Sequence, residues 1–245
     1  MQTIDYFDKG IAFRQKTIDR DKDSVNSLPL PKGRASSVHS LCERSVMLCI
    51  QRYSRGDAIA EIKQSVTQMA QIFGLRYKTI LSIDLDKGVR EMWENLTLTQ
   101  LYDNLTCLTF IVSLRYPADD KADVLKWIGH EGEDGLLDRV AVQLGEESRR
   151  IAETSKYVDV YDALIAVIDA ATEDRSLLLK NYVESWYKRM KIISWHGNHK
   201  GEAYVGYWCF EAALVAMLWN IDDSAFANHK NYPADLVKFY RTNPC

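Results

Sequence analysis

The sequence predicts an all-α fold made of two packed helical subdomains, and three observations carry that expectation. Only 5 prolines and 12 glycines punctuate 245 residues, so long stretches run without a breaker. Apolar residues recur every three or four positions and seldom alternate at period two, which is the helical and not the strand pattern. A hydrophobic content of 47% supplies enough apolar side chains for a substantial core in a chain of this length. No period of 20–50 residues repeats, so a simple helical solenoid is not supported.

Taken in order, residues 6–20 read as a first helix, ended by a loop at 21–34 that contains Pro29 and Pro31. A second helix begins at Ser36 or Ser37 and runs to about Ser54, with Val38, Leu41, Val46, Leu48, Cys49 and Tyr53 as its apolar positions. Tyr53-Ser54-Arg55-Gly56-Asp57 is a turn, because Gly56 tolerates positive φ and Asp57 can cap the next helix. Ile59, Ile62, Val66, Met69 and Ile72 mark that third helix until Gly74. A short helix at 86–95 and a strongly apolar one at 97–114 follow. Tyr116-Pro117 interrupts the pattern and sets the expected boundary, with an N-terminal helical bundle at 1–116 and a C-terminal helical domain at 117–245.

In the second half, Asp119 and Asp120 sit where a helix N-terminus favours acids, and Gly129 closes that helix. Residues 133–144 form another, closed by Gly145. Residues 157–171 carry Val160, Leu164 and Ile168 at i+4 spacing, and Thr172 is the expected N-cap of a helix whose stripe is Leu178, Tyr182, Trp186 and Met190. Residues 195–201 are a glycine-containing loop. The segment 204–223 is almost wholly apolar and aromatic apart from Glu211, so it is expected to be a helix buried on most sides. A membrane span needs roughly 20 apolar residues. Here the run from Val205 to Trp219 is fifteen residues with a carboxylate inside.

Charge is unevenly placed. The net charge is -3, yet residues 116–175 hold fifteen acids against seven bases, a block of -8 that leaves +5 elsewhere. Direct nucleic-acid binding is disfavoured, because phosphates require concentrated Lys and Arg. The N-terminus lacks the charge and length pattern of a signal peptide, so the protein is expected to stay in the cytoplasm. Five cysteines (Cys42, Cys49, Cys107, Cys209, Cys245) with no CxxC pair read as free thiols in a reducing compartment.

Catalytic signatures are sparse. GxSxG, GxxxxGK[ST] and GxGxxG are all missing from the sequence, so nucleophile-elbow and phosphate-cradle chemistry have no foothold. His196-Gly197-Asn198-His199 is the one metal candidate, with Glu202, His229 or Asp223 as further ligands. Its spacing of three and its glycine fit a loop better than the i, i+4 helical arrangement of a zinc site. Asp222-Asp223 follows the apolar segment where a turn or cap calls for polar groups. Glu211 must find hydrogen bonds from a tyrosine hydroxyl, a tryptophan indole or a neighbouring cation, because an unpaired buried charge costs several kcal/mol.

The run Tyr204-x-Gly206-Tyr207-Trp208-x-Phe210-Glu211-Ala212-Ala213, followed by Ile221-Asp222-Asp223 and Asn231-Tyr232-Pro233-x-Asp235-Leu236, resembles the C-terminal domain of the PoNi family of immunity proteins. Tyr53-Ser54-Arg55-Gly56-Asp57-x-Ile59 is similar to that family's N-terminal domain. The resemblance implies an all-α protein, not an enzyme and without a cofactor, that binds and neutralises a cognate nuclease toxin delivered by a type VI secretion system. Homodimer formation is left open. The acids Asp119, Asp120, Glu131, Glu133, Asp134, Glu146 and Glu147 are the expected toxin-facing set, since fixed carboxylates compete for a surface that binds phosphate. Tyr207, Trp208, Phe210 and Glu211 are expected to be structural. A metal-dependent hydrolase using His196 and His199, and a helical scaffold with another partner, are the alternatives.

Overall fold

A computed structural model describes residues 2–201 and 203–243. Among them are eleven α-helices and no strands: α1 (Ile4–Ser24), α2 (Pro31–Arg55), α3 (Ile59–Ser82), α4 (Lys87–Glu94), α5 (Leu98–Ser113), α6 (Ala118–Ile128), α7 (Gly135–Gln143), α8 (Val158–Asp169), α9 (Thr172–Arg189), α10 (Phe210–Leu218) and α11 (Ala234–Thr242). The all-α expectation holds.

The three long helices α1, α2 and α3 pack side by side, with α2 in the middle. Helix α5 is the axis of the molecule. It opens with a capping box in which Thr97 and Gln100 each satisfy the other's backbone N–H, and it touches α2 and α3 on one side and α10 and α11 on the other. Such all-round burial explains its sequence, which is apolar on nearly every face. Helix α6, the first after Pro117, packs back on α3, while α7, α8 and α9 surround α10. One continuous apolar core runs from Ile18 to Val237.

Several boundaries differ from the sequence expectation for identifiable reasons. Pro31 opens α2 instead of breaking the chain, because a proline at the first helical position lacks only an N–H that has no helical partner. Gly74 does not stop α3. It lies where an added Cβ would come within 3.1 Å of the Trp127 ring, so its role is close packing of α6 on α3. Asp57 does not cap α3. The N-cap is Ala58, and Asp57 instead receives Arg52 at 2.9 Å and Arg55 at 2.6 Å. Thr172 is the first residue of α9 and Ala171 its cap.

The apolar segment 204–223 is helical only at Phe210–Leu218. Residues 204–209 run as irregular chain, with Gly206 at φ +124°, a conformation that side chains with a Cβ rarely adopt. Four free cysteines, Cys42, Cys49, Cys107 and Cys209, are buried, while Cys245 lies outside the described residues. No described helix is long and apolar enough to cross a membrane.

Candidate functional site

The segments that carry the resemblance meet in space. The Ser54 hydroxyl donates to the Val205 carbonyl at 2.7 Å and accepts the Trp208 indole N–H at 2.7 Å, which ties the last turn of α2 to the irregular chain before α10. Tyr53 stacks edge-on against Trp208 at 4.8 Å and against Phe210 at 5.8 Å. The Asn231 amide donates to the Tyr207 carbonyl at 2.8 Å, and the Asn231 carbonyl accepts the Cys209 N–H at 2.8 Å. Tyr232 donates to Asp223 at 2.9 Å, and Arg241 pairs with the same carboxylate. Asp222 accepts the Ser224 N–H at 3.1 Å, so this doublet builds a turn and an internal ion pair.

Glu211 sits at the centre of this assembly, 1% exposed. Its Oε1 accepts the Trp186 indole N–H at 2.6 Å and the Tyr182 hydroxyl at 3.0 Å, so the helix α9 stripe supplies both donors. Oε2 has no partner among the described residues. Burial pushes the Glu211 pKa up to about 7, against the lowering effect of its hydrogen bonds. A carboxyl in that range holds its proton more readily than an exposed one, which reduces the cost of leaving Oε2 unmatched.

The acidic half divides into two groups. Asp119 and Asp120 are exposed at the start of α6, and Glu147 is exposed in the loop after α7. Glu131 is exposed and accepts the Arg150 N–H at 2.9 Å; Glu133 is exposed, 3.2 Å from His130 and 3.6 Å from Lys156. Glu146 is half-buried and paired with Arg149 at 2.7 Å.

Asp134 departs from the expectation. It is 0% exposed and cannot present its carboxylate to a partner. One oxygen caps α7 through the N–H groups of Leu136 and Leu137, and the other accepts the Ser155 hydroxyl at 2.6 Å and the Lys156 N–H at 2.9 Å.

Asp138 is likewise internal. It accepts N–H groups from Gly132 and Ala152 and pairs with Arg149 at 2.7 Å, with both side chains almost wholly buried. Arg149 also donates to the Gly129 carbonyl. Much of the block's negative charge therefore holds irregular chain in place. Sequence reasoning missed Asp138, Arg149 and Ser155. The usable signal was Asp134-Gly135 directly before an apolar run, an N-cap signature one residue inside the expected helix.

The histidine candidates do not converge. The His196 ring lies 3.1 Å from the Tyr187 carbonyl and stacks on that tyrosine, while His229 accepts the Asn231 N–H. Glu202 lies outside the described residues. Among the described residues no three His, Cys, Asp or Glu side chains are grouped to hold a metal.

These features define a helical protein whose distinctive polar residues bind one another, leaving exposed acidic surface. A crystal structure of protein PA2201 from Pseudomonas aeruginosa matches with a TM-score of 0.76 over 99% of this chain and 90% of that one, at 19% identity; at that identity the likeness concerns the fold. No curated protein sequence matches. Residues 132–236 match the family model of PoNe immunity proteins (PoNi), C-terminal. That segment is similar to the C-terminal domain of the PoNi immunity proteins, and it holds the Tyr204–Leu236 motifs that carry the resemblance.

Proposed function

We propose that this protein binds a cognate nuclease toxin, delivered between bacteria by a type VI secretion system, and neutralises it in the cytoplasm of the cell that makes both. The family match over residues 132–236 carries this reading. It fits a chain whose polar motif residues are engaged in internal bonds, with the partner met by surface charge.

A nuclease binds phosphate through basic surface. The exposed carboxylates of Asp119, Asp120, Glu131, Glu133 and Glu147 form the toxin-facing set in this reading, and complementary charge of this kind speeds encounter and fixes register. Tyr207, Trp208, Phe210 and Glu211 act as framework. The test is co-expression with the toxin gene adjacent to this one. Restored growth together with a co-purifying complex supports immunity, and unabated killing with no complex refutes it.

A further inference from the structure

Where α2 and α5 meet the chain between α9 and α10, the surface opens into a cavity of about 170 Å³. Tyr102, Trp195, Tyr204 and Tyr207 wall it, and Glu43 and Asp103 line it as well. The rings stand at different angles around the space. Trp195 and Tyr207 are stacked at 5.4 Å, Tyr204 meets Tyr207 at 90° and 4.9 Å, and Tyr102 is tilted 58° from Trp195 at 5.3 Å. Hydrogen bonds hold the walls in place, from Tyr207 to the Trp195 carbonyl, from Tyr102 to the Trp208 carbonyl and from Tyr6 to the Tyr204 carbonyl.

No lysine or arginine is among the described residues lining this cavity. Glu43 and Asp103 have neither a hydrogen bond nor an ion pair among the described residues. Two arginines act on these acids from outside the cavity: Arg76, which shares an adjoining cavity with both, donates to the Trp127 carbonyl at 3.2 Å and lies over the Phe73 ring, and Arg14, coupled to Glu43, donates to Gln51 at 2.8 Å. Aromatic faces carry negative potential, and with carboxylates beside them they attract a planar cation that stacks and hydrogen-bonds at once.

We infer that this pocket is a binding site for a guanidinium group, and that its occupant is an arginine side chain of the partner protein. The assignment of the occupant rests on the immunity reading, in which the partner is a nuclease with basic surface. Burial, followed by the neighbouring charge of Glu43, raises the Asp103 pKa well above the ordinary carboxylate range, with the charge of Arg76 opposing; a bound guanidinium would favour the ionised form. Solvent still reaches Asp103, which tempers that effect. Glu43 is exposed and Asp103 half-buried, so the hydrogen-bonding capacity of both is open to a cation seated against the aromatic walls.

The test uses the full-length protein and ethylguanidinium as probe, with ethylurea as its neutral counterpart, following the Trp195 indole resonance by NMR. Saturable binding of ethylguanidinium, no binding of ethylurea, and roughly tenfold weaker binding by the Glu43→Gln/Asp103→Asn variant are expected. That variant should melt no lower than the parent, because it removes a repulsive pair, so a folding defect would not mimic the result. Binding that is absent, or equal in parent and variant, overturns the pocket. A second arm measures toxin binding. A variant that binds guanidinium weakly yet binds toxin as tightly as the parent overturns the arginine assignment, whereas a parent that binds no toxin refutes the immunity reading and leaves the cation titration to decide the pocket.

Discussion

Glu211 shows how a single buried carboxyl shapes the pH response of the molecule. Its folded pKa, about 7, lies above the unfolded value near 4.3. The folded state therefore holds a proton that the unfolded chain has lost, and stability falls as pH rises between those two values. This contribution is fully present below about pH 4.3 and gone above about pH 7, on the order of 3 kcal/mol across the window. Urea unfolding of Glu211→Gln beside the parent checks it: the parent should lose ground to the variant as pH climbs through that window and hold a constant difference above it. A difference independent of pH would contradict the protonated clamp. Trp208 makes a separate case. Its indole N–H is bonded to Ser54 and its ring packs on Tyr53, so Trp208→Ala should cost roughly 3–5 kcal/mol, read as a lower Tm. A variant of unchanged Tm that fails to bind toxin would move Trp208 from the framework to the interface.

Among elements, the irregular chain 203–209 and the loops around α7 are held by specific contacts more than by burial. A Cβ at Gly206 would collide with the Ser54 hydroxyl and approach the Trp208 indole nitrogen at 2.6 Å, on a backbone already at φ +124°. Gly206→Ala should destabilise by about 2–4 kcal/mol and raise hydrogen exchange across 203–209; unchanged exchange would show that the chain is not pinned there. Arg149→Met should cost about 3–5 kcal/mol, since Asp138 is left buried and unpaired, and chemical denaturation measures that loss directly. These elements were also the hardest to read in the sequence. Helices such as α2, α3 and α5 announce themselves through apolar spacing, because burial of a stripe is what creates the spacing. The loops carry no such period. Asp134, Asp138 and Glu147 look alike in the sequence, and only the fold separates a carboxylate that caps a helix or pairs with Arg149 from one that faces water. The apolar run 204–223 read as one helix because nearly all of it is apolar and, Asn220 and Asp222 apart, buried or partly so, but Gly206 and the bonds to Ser54, Trp195 and Asn231 keep its first six residues out of the helix.

For the whole molecule, uneven charge is the property most directly linked to the proposed role. Asp119, Asp120 and Glu147 are exposed and make no ion pair among the described residues, so reversing them to lysine should leave Tm within a few degrees. The same change should slow toxin association several-fold at low salt and flatten its salt dependence. Stopped-flow association rates across an ionic-strength series read this out, and unchanged rates would move the interface away from the acidic helices. The most direct test of the immunity reading is a titration of the purified toxin's DNA cleavage with this protein. Cleavage should fall linearly to near zero at an equimolar ratio, as for a tight stoichiometric inhibitor, whereas cleavage that persists in the presence of a large excess would contradict the account.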